Sequence, residues 1–533
     1  TTFKIPGLQQ YADNPWLPLL AALLWLLHPL DVQAVTYIIQ RFTSLAAMFY
    51  ILSMWLYALG RLEKKRSHLV GSAISGLLSM ASKEYAVTLP FFLFLYEWFF
   101  FQNMDRTWLK RKTLYIGTAG ILLLFILFQL IPAVNAIALI QRLFTPDYLN
   151  HILLTHFRGM AFFLSLYVFP HPSRLNLDHE FPPSASLLQP ISTLPSVLLL
   201  LGMLLLAIWI AKRQRFISFC IFWTLGQMMI SYSVIGMDTI YEHRVYLSSM
   251  LFFAMWPIIA FRYIKPAKAA LVLLCAVTLA FSWWTYQRNQ VWADPIALWR
   301  DVSEKSPHKA RPHHSLAYWL IKQGQGQKAL VELKKAMELA PDDYNIRTDI
   351  GNLLLDLGRI DEAVEQLSYA LKLEPEHSIA LTNLGRAMYM QGKLEKAASY
   401  FAKAVAAKPD LDLAHHNLAA IFNLMGRTDE AIEHYRIVLR LDPQAFIDRY
   451  YLADLLIKQG KYNEAIEHLE ETLRLKPDLA VAHNLMGVAL ASQGRIREAV
   501  VPFQTAVRLD PNLDSARQNL ARVMTMLSSQ KRP

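Results

Sequence analysis

The sequence predicts an all-α protein in two parts, a polytopic transmembrane helical bundle followed by an α-solenoid. Hydrophobic residues make up 54% of the 533 residues, and nearly all of the long apolar runs fall between residues 17 and 286. Beyond residue 310 the composition changes and a regular repeat spacing begins. We therefore predict a membrane domain over residues 1–286, a linker over 287–309, six repeats over 310–513, and a capping helix with a polar tail over 514–533.

Apolar runs bounded by charge or proline define the membrane domain, because a hydrocarbon layer about 30 Å thick accepts helices of roughly 20 apolar residues. Several of these runs are short for a full crossing. We predict ten segments: 17–31, 42–60, 69–82, 86–101, 113–134, 153–170, 193–211, 216–234, 245–263 and 267–286.

Basic residues cluster in four of the connections between these runs, and by the positive-inside rule those connections face the cytoplasm. The connections alternate between inside and outside along the chain except at 153–170, which we interpret as a re-entrant or interfacial segment. The last run then carries the chain outward, so the repeats are predicted to lie outside. The four clusters are Arg61, Lys64, Lys65 and Arg66; Arg106, Lys110, Arg111 and Lys112; Lys212, Arg213 and Arg215; and Arg262, Lys265 and Lys268.

Three residue types recur at a constant spacing in the C-terminal part. The spacing is that of the tetratricopeptide repeat (TPR), in which glycine ends the first helix, alanine permits close packing and proline follows the second helix. The recurring residues are Gly324, Gly358, Gly392, Gly426, Gly460 and Gly494; Ala329, Ala363, Ala397, Ala431, Ala465 and Ala499; and Pro341, Pro375, Pro409, Pro443, Pro477 and Pro511.

A six-repeat solenoid presents a concave surface suited to an extended peptide or a partner helix, so binding is its expected role. Asn383, Asn417 and Asn519 share one repeat position. Their amides could donate to and accept from a peptide backbone without reading side chains. Ordinary solvated polarity of the groove is an equally open interpretation.

Polar residues at the predicted outer boundary are the candidates for chemistry, since charges next to hydrocarbon are costly unless they are partnered or functional. Arginine binds phosphate through two parallel hydrogen bonds. Snorkelling to headgroups, helix capping and mutual ion pairing are the structural alternatives. The candidates for binding a lipid phosphate or a sugar are His28, Arg41, Lys83, Glu84, Glu242, His243 and Arg244.

Other classes of site lack support in the sequence. No histidine pair at i and i+4 is backed by a third metal ligand, and we find no glycine-rich phosphate loop or serine-centred elbow. The formal charge of +11 comes largely from the short basic connections, which membrane orientation explains without nucleic acid. Cys220 and Cys275 both lie in apolar runs and predict no disulfide framework.

The run from His28-Pro29 through Ala34-Val35 to Arg41 resembles a known arrangement, together with Lys83-Glu84 and Glu242-His243-Arg244 followed by Tyr246. It is similar to the transmembrane-and-TPR O-mannosyltransferase-like proteins and their bacterial relatives. These belong to the polytopic GT-C glycosyltransferase superfamily. The resemblance implies a GT-C-like bundle that takes a sugar from a polyprenyl-phosphate donor at the outer face and passes it to a protein held by the solenoid. No cofactor is evident in the sequence, and the polyprenyl-phosphate sugar would be the donor substrate.

That superfamily places its catalytic carboxylate in the first external loop, and no residue here matches that motif. Either the N-terminal helix and catalytic loop are missing from this sequence, or the protein is inactive as given, and no catalytic residue is assigned. For a complete enzyme, a carboxylate would deprotonate the acceptor hydroxyl while external Arg or Lys stabilises the departing phosphate.

Two other functions stay open. One is a membrane-anchored TPR scaffold for assembling a secretion, pilus or polysaccharide machine, although an anchor needs only one helix. The other is a transporter, for which paired half-repeats with polar breaks would be expected. We predict a bacterial cytoplasmic membrane with periplasmic repeats, since no Asn-X-Ser/Thr sequence occurs. The endoplasmic reticulum membrane with lumenal repeats is the alternative.

Overall fold

The computed structural model of the chain describes residues 14–31, 41–112, 152–233 and 241–529. It divides into two compact units, Thr1–Pro312 and His313–Pro533. All regular structure within the described ranges is helical, which confirms the predicted all-α class. The predicted segment at 113–134 lies outside the described residues.

The first unit is a bundle of apolar helices of different lengths. Four stretches are long and apolar enough to cross a membrane, namely Phe42–Glu63, Thr193–Ile210, Glu242–Tyr263 and Ala267–Ala293. The other helices in the described part of this unit are shorter or less apolar. The helices are α1 (Trp16–Leu26), α2 (Arg41–Glu63), α3 (Arg66–Ser82), α4 (Leu89–Tyr96), α5 (Leu154–Val168), α6 (Thr193–Ile210), α7 (Arg215–Ser233), α8 (Tyr246–Tyr263), α9 (Ala267–Ala293) and α10 (Pro295–Lys305).

Helices α2 and α3 form a tight hairpin because small residues line their contact. Ser53 Oγ donates to the carbonyl oxygen of Ser72 at 2.7 Å, and Ser72 Oγ returns a bond to the carbonyl oxygen of Ser53 at 2.8 Å. A methyl group on Gly60 would lie 2.7 Å from Leu69. Small residues with reciprocal hydroxyl bonds are the usual way in which helices approach closely inside a membrane.

The outer surface of the bundle is apolar, which is the inverse of a water-soluble protein. Leu198, Leu205, Ile208 and Trp209 on α6 are each more than half exposed, and so is Leu279 on α9. A contiguous exposed apolar surface of this size requires an apolar solvent or a partner. These apolar helices indicate that the chain is a membrane protein.

The second unit is a solenoid of helix pairs. Each pair turns through a glycine in the left-handed region, with φ between +73° and +80°. The six alanines predicted to sit at the helix contact are fully buried. Its helices are Ala310–Lys322 with Gly326–Leu339, Tyr344–Asp356 with Ile360–Leu373, Ser378–Met390 with Leu394–Ala407, Asp412–Leu424 with Thr428–Leu441, Phe446–Lys458 with Tyr462–Leu475, Ala480–Ser492 with Ile496–Leu509, and the final Asp514–Ser529.

The first helices of neighbouring repeats lie close together, as in repeats two and three or five and six, whereas the second helices approach one another less closely. The face made by the first helices is therefore the inner, concave side of the solenoid. Close packing within a repeat depends on glycine at some positions. A methyl group on Gly385 would lie 2.7 Å from the ring of the buried Phe401.

Candidate functional site

Four short 3₁₀ turns gather at one end of the bundle, which we name the polar end. They are Pro29–Asp31 after α1, Glu84–Thr88 after α3, Pro172–Arg174 after α5, and Glu242–Val245 before α8. The turn after α1 contacts the turn before α8. The structure thus brings segments from the beginning and the end of the membrane domain to the same end of the bundle.

His28 and Asp31 are both buried beside the end of α1. The ring of His28 packs 4.6 Å from Phe253 and 4.7 Å from Phe281, measured between ring centroids. Its Nδ1 accepts the backbone N–H of Leu30 at 3.2 Å. Asp31 Oδ1 faces the hydroxyl of Ser249 at 3.4 Å. Within the described ranges, His28 Nε2 and Asp31 Oδ2 have no hydrogen-bond partner.

Lys83 directs its ammonium across the hairpin to the start of α2. Its Nζ donates to Thr43 Oγ1 at 2.7 Å, and the adjacent Tyr85 hydroxyl donates to the carbonyl oxygen of Thr43 at 2.6 Å. Arg41 begins α2 and Glu84 begins the following turn, but their side chains lie outside what the structure describes. Lys83 therefore lies beside the segment that starts with Arg41.

The Tyr241–Arg244 segment supplies further cationic and aromatic groups to the polar end. The His243 ring stacks on Tyr241 with centroids 5.3 Å apart, and the Arg244 guanidinium lies 5.5 Å from the Tyr241 ring centroid. Lys83 and Arg244 both lie near enough to His243 for their positive charges to interact with its imidazole ring. Three of the predicted site residues therefore lie close enough together to interact.

Glu242 differs from its neighbours because its carboxylate is buried and bonded to other groups of the protein. It is 1% exposed, and its Oε1 accepts the backbone N–H of Asn176 at 2.6 Å and faces His179 Nε2 at 3.2 Å. Its Oε2 lies 4.0 Å from Nη2 of the equally buried Arg288. Glu242 thus joins the loop after α5 to the end of α9.

The same loop is fastened to the segment that follows α9. Asp178 pairs with Lys309 at 2.6 Å, and the amide of Asn176 donates to Ser306 Oγ at 2.8 Å. Lys305 Nζ donates to the carbonyl oxygens of Pro172 and Leu175, both at 2.8 Å. Burial lowers the pKa of Lys305, although its hydrogen bond to Asp301 opposes that shift. These bonds hold α10 and residues 306–311 to the polar end.

Sequence reasoning did not find Asn176, Arg288 or Asp301 as members of this network. Arg288 donates to Asp301 at 2.9 Å and is 1% exposed. The only sequence signal for this network was a charged residue, Arg288, followed by a tryptophan near the end of the last apolar helix. Their partners lie far along the chain, so no short motif shows the pairing.

In the solenoid, the three predicted asparagines lie on the first helices and therefore on the concave side. Asn383 is 8% exposed, and neither its amide nor that of Asn417 hydrogen-bonds to another described residue. Asn519 is different, since its Nδ2 donates to Asn484 Oδ1 at 3.0 Å. Two of the three amides are thus free to meet a ligand.

No ion-binding cluster accompanies these sites. Across residues 14–31, 41–112, 152–233 and 241–529, no three His, Cys, Asp or Glu side chains are grouped so as to hold a metal. The polar end offers cations, hydroxyls and imidazoles at the boundary of an apolar bundle. Such groups can bind an anionic headgroup attached to a lipid.

Comparison with known proteins identifies the repeats directly. Models of the tetratricopeptide repeat match residues 320–368, 348–412, 414–445 and 453–494. The second unit therefore contains TPR repeats.

Two curated relatives match over a short stretch. Human Protein O-mannosyl-transferase TMTC1 is 29% identical over 90 residues, which is 17% of this chain and 10% of that protein. The mouse protein of the same name is 30% identical over 79 residues, which is 15% of this chain and 8% of that protein. The matched stretch thus spans a tenth or less of these relatives.

Solved TPR structures resemble the repeats in fold. YrrB, described as a TPR protein with an unusual peptide-binding site, is 19% identical and covers 35% of this chain and 96% of its own, with a TM-score of 0.33. Pseudomonas aeruginosa pilF is 20% identical and covers 40% and 97%, with a TM-score of 0.37.

Proposed function

We propose that the chain is part of a membrane glycosyltransferase of the GT-C type, which transfers a sugar from a polyprenyl-phosphate-linked donor to a protein held by the TPR solenoid. The observation that carries this proposal is the convergence of Lys83, His243 and Arg244 on one end of an apolar bundle. The partial similarity to Protein O-mannosyl-transferase TMTC1 supports the same class of reaction.

The proposed donor has an anionic phosphate at the membrane boundary and an apolar chain within the bilayer. Lys83 and Arg244 would bind the phosphate and stabilise the negative charge that grows on it as the sugar departs. Lys83 is already oriented by its 2.7 Å bond to Thr43, which limits the entropy lost on binding. Arg41 and Glu84 stay in the proposed site by their position beside Lys83.

The two buried acids have different proposed roles. The carboxylate of Glu242 already contacts Asn176, His179 and Arg288. We therefore propose that Glu242 holds the segments of the polar end in place and does not touch the sugar. Asp31 has an oxygen without a protein partner in the described part of the chain. Such a carboxylate oxygen can accept a hydrogen bond from a sugar hydroxyl. His28 would keep its neutral ring against Phe253 and Phe281 and shape the wall of the site.

The test is sugar transfer by the complete enzyme that contains this chain, reconstituted in liposomes with a labelled polyprenyl-phosphate hexose and an acceptor protein. We expect transfer, and we expect Lys83→Met to lower it about 100-fold, as loss of one transition-state cation does. Lys110→Met is the matched control, because Lys110 is exposed and lies in a basic connection at the opposite end. Absence of transfer from every such donor, or an unaffected Lys83→Met, would refute the proposal.

A scaffold function is the second candidate, favoured by the fact that every family match falls within the repeats. A scaffold would assemble partner proteins without a lipid-linked sugar. It predicts that Lys83→Met leaves all partner binding unchanged and that no labelled acceptor forms. The transfer assay therefore separates the two functions.

A further inference from the structure

Two histidines face each other across the helix contact of repeat four. His415 lies on the first helix, Asp412–Leu424, and is buried, whereas His434 lies on the second helix, Thr428–Leu441, and is half-buried. Their Nδ1 atoms are 2.9 Å apart, which is a hydrogen bond between two imidazoles. The Nε2 atom of His415 lies 3.1 Å from the carbonyl oxygen of Pro409. Both ring nitrogens of His415 therefore have partners inside the protein.

This geometry admits one extra proton but not two. A carbonyl oxygen only accepts, so Nε2 of His415 carries a proton and its Nδ1 accepts the N–H of His434. A first added proton can go to the other ring nitrogen of His434 and leave this bond intact. A second would have to enter between the two Nδ1 atoms, where it would set two donors and two positive charges against each other. The contact is therefore incompatible with the fully protonated pair.

Repeat five has a second unfavourable pair at the same place. Arg449 occupies the position of His415 one repeat later, and its Nη2 donates to the carbonyl oxygen of Pro443 at 2.8 Å. Its buried Nε has no hydrogen-bond partner in the described part of the chain. His468 likewise follows His434 by one repeat, and burial and the positive charge of Arg449 lower the pKa of His468. A proton on His468 would thus place a second cation beside a guanidinium that is always charged.

The same contact is built differently at the start of the solenoid. In repeat one, His313 Nδ1 lies 2.6 Å from Glu332 Oε2, so protonation of this histidine strengthens the pair. In repeat two, Arg347 Nη1 donates to Gln366 Oε1 at 3.1 Å, and neither group titrates near neutral pH. Acid therefore opposes this contact in repeats four and five but not in repeats one and two.

Two carboxylates near His434 favour its protonation. Glu430 and Glu433 lie on the same helix, and Glu430 is also paired with Arg427. Burial, followed by the neighbouring His415, outweighs both carboxylates, so the pKa of His434 lies below its usual 6.5. The carboxylates therefore weaken the effect of acid without reversing it.

The surroundings of His468 are mixed as well. Glu464 Oε1 lies 3.9 Å from its Nε2 and, with Glu467, favours the charged form. Arg436 of repeat four pairs with the same Glu464 and adds to the repulsion from Arg449. Burial and the two guanidinium groups prevail, because the pKa of His468 stays below its usual value.

We infer that repeats four and five form an acid-sensitive joint, in which the second helices detach from the first helices as the pH falls while repeats one and two stay packed. The first helices of the joint keep their own connection. His416 Nδ1 lies 2.6 Å from Asp448 Oδ1, and that pair is strongest when the histidine is charged. The joint gives the solenoid a response to the acidity of the compartment that it faces, and it does not depend on sugar transfer.

Proton uptake sets the direction of the response. A histidine released from the contact titrates near 6.5, whereas the packed His434 and His468 titrate lower, so opening takes up protons between those values. The stability of the contact is therefore fully present above pH 6.5 and is lost as the pH falls. Each histidine raises the opening constant by up to about tenfold per pH unit in that window.

Hydrogen–deuterium exchange of the full chain in lipid nanodiscs measures the opening at pH 7.5 and pH 5. Each exchange rate is divided by the intrinsic rate of an unstructured chain at the same pH. We expect the opening of the second helices of the joint, Thr428–Leu441 and Tyr462–Leu475, to rise at least about tenfold in acid. The second helices of repeats one and two should change by less than about twofold.

Two substitutions assign the effect to these histidines. His434→Gln and His468→Gln each install an amide that can donate a hydrogen bond but takes up no proton in this range. Together they should bring the ratio of opening at pH 5 to that at pH 7.5 below about threefold in the joint. Because each variant is compared with itself at two pH values, a loss of stability common to both leaves the ratio unchanged.

The matched control is His483→Gln in repeat six. His483 occupies the position of His415 two repeats later, and its Nε2 donates to the carbonyl oxygen of Pro477 at 2.9 Å. The residue that corresponds to His434 there is Pro502, which carries no charge. This variant should keep the full acid effect in the joint.

Equal loosening of all repeats in acid, or no loosening of repeats four and five, would overturn the inference. An acid effect that survives in the double variant, or that disappears in His483→Gln, would overturn it as well. None of these measurements involves a sugar donor, so their outcome is separate from that of the transfer assay.

Discussion

Replacing Glu242 by glutamine should loosen the loop after α5 without unfolding the bundle. The carboxylate accepts the backbone N–H of Asn176 at 2.6 Å, and glutamine would offer either a weaker neutral acceptor or an opposing N–H. Hydrogen bonds to a charged group contribute about 1.5–3 kcal/mol. Arg288 keeps its 2.9 Å ion pair with Asp301, so the larger cost of an unpaired buried charge does not arise.

A loss of about 1.5–3 kcal/mol corresponds to a roughly 10- to 150-fold larger equilibrium constant for opening of the loop, and to faster amide exchange by the same factor. Hydrogen–deuterium exchange of the protein in nanodiscs measures this at the amide of Asn176. Glu180→Gln is the control, because Glu180 is exposed on the same loop and accepts only a 3.3 Å bond from His308. Unchanged exchange at Asn176 in Glu242→Gln, or an equal effect of Glu180→Gln, would refute the positioning role of Glu242.

Two further changes test the solenoid. Gly385→Ala places a methyl group 2.7 Å from the buried ring of Phe401 and should destabilise the repeats by about 1–3 kcal/mol. Gly326→Ala, also in the repeats, brings its methyl group no nearer than 3.4 Å to another residue and should not destabilise them. Thermal unfolding of each variant measures this, and equal midpoints would contradict it. The hydrogen bond to Asp448 raises the pKa of His416 above its usual 6.5. The destabilisation caused by Asp448→Asn should therefore be largest below pH 6.5 and should diminish as the pH rises through the raised pKa. Denaturant unfolding at pH 5.5 and pH 9 checks this, and an equal loss at both pH values would contradict it.

The repeats could be predicted closely because each is a local pattern. A fixed step along the chain places glycine, alanine and proline at the same point of every helix pair. The structure has Gly392 at φ +75° and Ala397 fully buried, as that pattern requires.

The polar end was predictable only in part. Charged residues between apolar runs pointed to Lys83, His243 and Arg244, because charge is conspicuous beside hydrocarbon. The sequence did not show that Glu242 binds the backbone of Asn176 and pairs with Arg288, because those contacts join three distant segments. The burial of Asp31 depends on α8, where Ser249 faces it, and could not be inferred from neighbouring residues.

From the distribution of basic residues we predict that the polar end and the TPR repeats face the same side of the membrane. Single cysteines at three exposed positions, Glu180, Asp410 and Lys212, test it in sealed vesicles after Cys220 and Cys275 are replaced by serine. We predict that a membrane-impermeant maleimide labels Glu180→Cys and Asp410→Cys from the same side and Lys212→Cys from the other. Labelling of Glu180→Cys and Asp410→Cys from opposite sides would contradict delivery of a solenoid-bound acceptor to the polar end.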